Sequence, residues 1–154
     1  VGGHVFDPAS FDRGLPFEAD IVTVAYGTND WNANCTATEL RNNVVAYVAA
    51  IRTRYPKARI IVATPIWRAI GDERRATGTL TECSRVIAEA STQVDRVEVI
   101  DGLQMVPHRA EFLPDGTHPN DEGFFHYSAG LCRSIRTDHP VSCVCDNDQG
   151  ATRR

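Results

Sequence analysis

Ile21-Val22-Thr23-Val24-Ala25-Tyr26-Gly27-Thr28-Asn29-Asp30 begins as a β-branched, apolar run and ends on a glycine followed by turn-forming polar residues. A short run of this kind, with Thr23 its one polar member, reads as a strand over residues 21–26 that is buried on both faces. Directly behind it, Thr36-x-x-Glu39 has the spacing of a capping box. In that motif each side chain satisfies a free backbone N–H of a helix's first turn. Leu40, Val44, Tyr47, Val48 and Ile51 then recur at helical spacing, and Tyr55-Pro56 stops the helix. The pattern repeats. Arg59–Ala63 reads as a second buried strand ended by Thr64-Pro65, and the polar stretch 71–75 as a loop. Thr79-x-x-Glu82 is a second capping box, followed by the stripe Val86, Ile87, Ala90 and Val94. Val97–Ile100 is a third short strand. After a loop holding Asp115-Gly116-Thr117-His118-Pro119, Pro119 suits the first position of a helix striped by Tyr127, Leu131 and Ile135.

Strand and helix alternate three times. That order predicts an α/β domain with a parallel sheet and helices on its faces. Residues 1–19 read as irregular, and from Pro140 onward the pattern fails. The expected organisation is one domain over 1–136 and a loosely ordered tail over 137–154. In such sheets function collects at the carboxyl ends of the strands. Two polar clusters, 27–30 and 115–118, fall on loops that follow strands.

Composition narrows the classes. With 42% hydrophobic and 23% charged residues the chain is of ordinary globular make-up. Sixteen Lys+Arg against twenty Asp+Glu give a net charge of −4, which leaves no excess cation to neutralise phosphates and argues against nucleic acid as a partner. No apolar run is long enough to span a bilayer. Val1-Gly2-Gly3-His4 has neither the basic nor the apolar region of a signal peptide. Five cysteines at scattered spacings, with no C-x-x-C pair, read as free thiols in a reducing compartment, with the cytoplasm as default. No Gly-rich phosphate loop or His-Glu-x-x-His is present, so no cofactor and no metal is expected.

Asp115-x-x-His118 can do proton chemistry. A carboxylate three residues before an imidazole can fold back onto one ring nitrogen and leave the other free to take a proton. Surface loops also carry Asp and His together by chance. Gly27-Thr28-Asn29-Asp30 offers an amide at a strand end, where it could stabilise negative charge on a carbonyl oxygen. The same residues are favoured in plain turns.

Together the two clusters resemble the SGNH/GDSL hydrolases. Gly27-Thr28-Asn29-Asp30 matches that family's G-x-N-D block, and Asp115-Gly116-Thr117-His118 its terminal D-x-x-H block. The resemblance covers roughly residues 1 to 136. It implies a flavodoxin-like, three-layer α/β sandwich that hydrolyses acyl esters through a serine. His118 would then be the general base, Asp115 its orienting carboxylate, Asn29 an oxyanion donor and Gly27 the residue that shapes its loop. Gly3 is the candidate for the family's second oxyanion donor, through its backbone N–H. A flexible terminal glycine is the alternative there. Short-chain or acetyl esters, including esters on carbohydrate, are the substrates the resemblance implies.

One part of the family pattern is missing. No Gly-Asp-Ser occurs in the sequence. Ser84, Ser91, Ser128 and Ser134 fall in expected helices, Ser142 in the tail, and Ser10 in a Pro/Asp loop with no strand before it. The resemblance therefore implies a shortened piece that lacks the first two strands and the nucleophile, and is inactive alone. Residues 21–26 would then be an open apolar edge through which copies associate. A degenerate, non-catalytic relative that binds a glycan or protein is the alternative. A third reading, an unrelated binding domain, requires Asn29 and His118 to lie on opposite sides of the sheet. Trp31 reads first as packing. Trp67 and Arg68 sit near the same edge, with a role in binding open. Arg52, Arg54, Lys57 and Arg59 read as a solvated basic face at a helix end, and His4, His108, His126 and His139 have no placed partners.

Overall fold

The computed structural model describes residues 4–12, 14 and 16–136. Gly3, the tail from residue 137, and with it His139, Ser142, Cys143 and Cys145, lie outside the described residues.

Three strands form one parallel sheet in the order β1-β2-β3: β1 (Ile21–Val24), β2 (Arg59–Ala63) and β3 (Val97–Ile100). Ile21 lies opposite Arg59 and Val24 opposite Val62, while Ile60 pairs with Val97 and Ala63 with Ile100. The helices are α1 (Thr28–Asn32), α2 (Ala37–Arg54), α3 (Leu80–Ser91) and α4 (Asp121–Arg136). Both expected capping boxes form: Thr36 and Glu39 start α2, and Thr79 and Glu82 start α3.

Crossovers between parallel strands are right-handed, so connections β1-α2-β2 and β2-α3-β3, running in the same direction, set both helices on one face of the sheet. There Ile60 and Val62 pack with Leu40, Val44, Val48, Ile51, Leu80 and Ile87 in the main core. Alternation sends Arg59 and Ile61 to the other face. Arg59 there makes a two-pronged ion pair with Glu98 and donates to the Ser134 and Ile135 carbonyls at the end of α4. The result is a three-layer α/β sandwich of the flavodoxin-like kind.

The structure corrects several expectations. β1 stops at Val24 and is not buried on both faces: Ile21 is 43% exposed, Thr23 is exposed, and only Val24 is buried. Ile21 and Thr23 share the face of Arg59 and Ile61, but β1 is an edge strand, and the bonds to the end of α4 are made from Arg59 of β2. Residues 28–32 are a short helix rather than a loop. α4 begins at Asp121, two residues after Pro119, because Asn120 caps it: the Asn120 side-chain oxygen accepts the N–H of Gly123. The fully covered positions of α4 are Gly123 and Gly130, with the Tyr127–Leu131–Ile135 stripe half-buried. A Cβ on Gly123 would stand 2.6 Å from the Phe112 carbonyl oxygen, so the helix approaches through its missing side chain. The basic cluster is not simply solvated. Arg52 donates to the carbonyls of Ala58, Asp95 and Arg96, joining the end of α2 to the loops that enter β2 and β3. The irregular N-terminal segment supplies Phe6, a fully buried core residue.

Candidate active site

A cleft of about 300 Å³ opens at the carboxyl ends of the strands. The chain leaving β1 supplies Tyr26, Gly27, Thr28 and Asn29 to it, the chain leaving β2 supplies Thr64, Pro65 and Ile66, and the segment before α4 supplies Thr117 and His118. The two sequence clusters therefore meet in one crevice. They lie on the same side of the sheet, which counts against the reading of two chance motifs.

Gly27 caps α1 with φ +115°, a conformation that β-carbon-bearing residues rarely adopt. There is also no room for a side chain, since a Cβ would run into Ile87 and Pro65. This tight exit from β1 turns the first residues of α1 toward the cleft. The Asn29 amide donates to the His4 carbonyl at 3.0 Å. A primary amide has two N–H donors, so this bond uses one of them and fixes the orientation of a side chain that lines the cleft. The adjacent Asp30 points inward and accepts the Phe6 N–H at 3.0 Å. Burial pushes its carboxyl above the usual range, against the pull of that N–H. Consecutive side chains of the motif thus stitch residues 4–6 to α1. Trp31 is fully buried and donates its indole N–H to the Gly78 carbonyl, a packing residue as first read.

The Asp115–His118 turn is internally bonded. One carboxylate oxygen of Asp115 accepts the backbone N–H of Thr117 at 2.8 Å and of His118 at 2.7 Å. The other contacts His118 Nδ1 at 2.7 Å. The backbone N–H of His118, the imidazole and the N–H of Thr117 together hold Asp115 well below the usual carboxylate range. An ionised carboxylate only accepts, so in the neutral form of the imidazole Nδ1 carries the hydrogen and Nε2 keeps its lone pair. The imidazole is 79% exposed and lines the cleft.

Some cleft residues were not singled out from sequence. His4 stacks on Tyr26 with ring centroids 5.9 Å apart. Phe124 and Tyr127, one turn apart on α4, complete an apolar wall with Ile66. Tyr127 was expected only as a member of the α4 stripe and not in the cleft, and Phe124, 55% exposed, falls outside that stripe. Among the described residues no serine lines the cleft. Ser10 bonds to the Asp7 carbonyl, Ser91 to Ile87, Ser128 to Phe125 and Ser134 to Gly130, each a local contact. His108 bonds to the Leu103 carbonyl and stacks on Trp67, and His126 meets Phe112 edge-on; these are partners that sequence did not place.

A profile of the GDSL-like lipase/acylhydrolase family matches residues 4–124. The chain belongs to this family. The GDSL match spans β1 through the start of α4 and so contains both motif turns. Among solved structures, a salicylyl-acyltransferase, SsfX3, from a tetracycline biosynthetic pathway is 24% identical over 80% of this chain and 38% of that one, with a TM-score of 0.66. A lipase/acylhydrolase from Enterococcus faecalis is 26% identical over 76% and 61%, with a TM-score of 0.59. A carbohydrate esterase family 3 protein from Talaromyces cellulolyticus is 20% identical over 86% and 67%, with a TM-score of 0.62. The chain thus spans 38% of the length of the acyltransferase. No curated protein gives a significant match. The GDSL-like family is one of lipases and acylhydrolases.

Proposed function

We propose that the cleft is the base-and-oxyanion half of a serine ester hydrolase site. The observation that carries the reading is that the Asn29 amide and the His118 imidazole line one cleft at the carboxyl edge of the sheet. In the proposed reaction a serine hydroxyl from residues beyond this sequence attacks the ester carbonyl carbon, and its proton passes to His118 Nε2. Asp115 keeps the imidazole in the tautomer that can accept it and stabilises the imidazolium that forms. Negative charge gathers on the carbonyl oxygen, which accepts the free N–H of Asn29 and, on this reading, the backbone N–H of Gly3. Collapse expels the alcohol, which leaves with the proton from His118. Water then attacks the acyl-serine by the same relay and releases the acid. Gly27 acts indirectly, by giving Asn29 its place.

Small acyl groups, acetyl among them, suit a cleft of this size, and the aromatic faces of Tyr26, Phe124 and Tyr127 suit a sugar ring as the alcohol. The carbohydrate esterase among the structural neighbours is in keeping with that choice. The chain by itself is expected to turn over esters poorly, because no serine among the described residues lines its cleft.

The test is p-nitrophenyl acetate hydrolysis by the product of the complete gene. His118→Ala is expected to lower kcat by about 10²–10⁴-fold, the usual worth of a positioned general base. Near-wild-type turnover by that variant would refute the assignment. That no serine among the described residues lines the cleft favours one second reading, a domain that binds an ester or glycan without cleaving it. A complete gene product that binds a short acyl ester yet shows no turnover above that of His118→Ala would establish that reading instead.

A further inference from the structure

Arg68 follows β2 and is 7% exposed, yet its acceptors are all uncharged. Nε donates to the Gly116 carbonyl at 3.1 Å, Nη2 to Thr117 Oγ1 at 2.7 Å and Nη1 to Asn32 Oδ1 at 3.2 Å. A buried charge without a paired carboxylate is costly, and an aliphatic side chain would fill the same space without that cost. What a guanidinium supplies and a hydrocarbon does not is a rigid planar fork of donors. The two ends of the fork lie in telling places. Gly116 and Thr117 are the two residues between Asp115 and His118. Asn32 closes α1, the helix whose second residue is Asn29. The guanidinium also stands 5.6 Å from the ring of Trp31, which is fully buried and anchored to Gly78.

The Asp115 hydrogen bonds all lie within the 115–118 turn and are exposed to competing water, so they persist only while the turn is held in place. The bonds from Arg68 tie the turn to a distant element. We propose that Arg68 is a positioning residue that clamps the Asp115–His118 turn to the end of α1, so that the imidazole and the Asn29 amide keep a set relation across the cleft. The purpose of that relation rests on the hydrolase reading. The clamp itself does not, and it is tested without turnover.

The experiment uses the full 154-residue chain, labelled with nitrogen-15. Two quantities are read: hydrogen exchange of the Thr117 and His118 amides against the β2 amides of Ile61 and Val62, and the Nδ1–H to Nε2–H tautomer ratio of His118. Arg68→Lys keeps the charge but loses the fork, and Arg68→Met keeps the stem. Both are expected to speed exchange at Thr117 and His118 at least tenfold and to shift the ring toward the Nε2–H tautomer, with Ile61 and Val62 unchanged. A merely structural role would move the β2 amides together with the turn and leave the tautomer of the folded molecules alone. That result, or wild-type values at the turn in folded variants, overturns the proposal. If both variants fail to fold, Thr117→Val decides. It removes only the 2.7 Å bond and is expected to speed exchange at the turn severalfold, whereas an unchanged turn overturns the clamp. Full turnover by His118→Ala would remove the hydrolase reading and leave these outcomes intact.

Discussion

At the scale of single residues, the site depends on side chains whose partners leave one function free. Asn29 spends one N–H on His4, and His118 spends Nδ1 on Asp115. Asp115 and His118 were legible in sequence because their contact spans three residues and follows from turn chemistry. Arg68 was not: its acceptors lie 36, 48 and 49 positions away, and no local pattern marks a residue that acts across such distances. Phe6 was missed for the same reason, since it is buried by partners from other elements. Residue chemistry also sets a pH response. Burial pushes the Cys83 thiol up to about 12, while an unfolded thiol titrates near ~8.5. Between those values the folded protein holds a proton that the unfolded chain releases, so stability falls as pH rises. A single such group contributes a slope of about 1.4 kcal/mol per pH unit at most. Urea melts from pH 8 to pH 10 should show this decline, and Cys83→Ala should flatten it. An equal slope in the variant would mean that the thiol is not shielded.

At the scale of elements, the sequence was most readable where structure is made locally. β2 and β3 begin and end where their apolar runs do, and both capping boxes form as spaced. Thr79 Oγ1 accepts the N–H of Glu82 while the Glu82 carboxylate accepts the N–H of Thr79, at 3.2 and 2.7 Å. Thr79→Ala should cost about 1 kcal/mol, the usual worth of an N-cap. For a chain of this size that lowers Tm by roughly 2–4 °C, measurable by calorimetry. No change in Tm would mean that the cap is redundant with tertiary packing. Reading failed where an element depends on its neighbours. The apolar run of β1 looks like that of β2, but burial is decided by what flanks a strand and not by its own composition. α1 escaped notice because five residues are too few to show a period. In α4, the apolar stripe pointed to the correct side, while closest contact is made through Gly123 and Gly130, which carry no hydropathic signal.

At the scale of the whole molecule, the three layers put both motif turns on one edge of the sheet and leave the opposite end to packing. The main core lies between the sheet and α2 and α3, and Arg59 fastens the far layer through the end of α4. β1 has no strand on its outer side among the described residues, and Ile21 lies open on its face. Unpaired backbone groups beside exposed apolar side chains are a template for another strand. The chain is therefore expected to associate as its concentration rises, seen by light scattering as a growing mass. Ile21→Lys should suppress that growth. A wild-type chain that stays monomeric at all concentrations would show that this edge is inert.

The central claim is that Asn29 and His118 face one and the same bound carbonyl group. Its most direct test is a titration of the nitrogen-15-labelled chain with sodium acetate, the carboxylate of the simplest acyl product, observing the Asn29 side-chain amide and the His118 ring. Both signals are expected to move along one binding curve with a common Kd. If only one of them moves, or if the two follow different curves, they do not share a ligand and the claim is wrong.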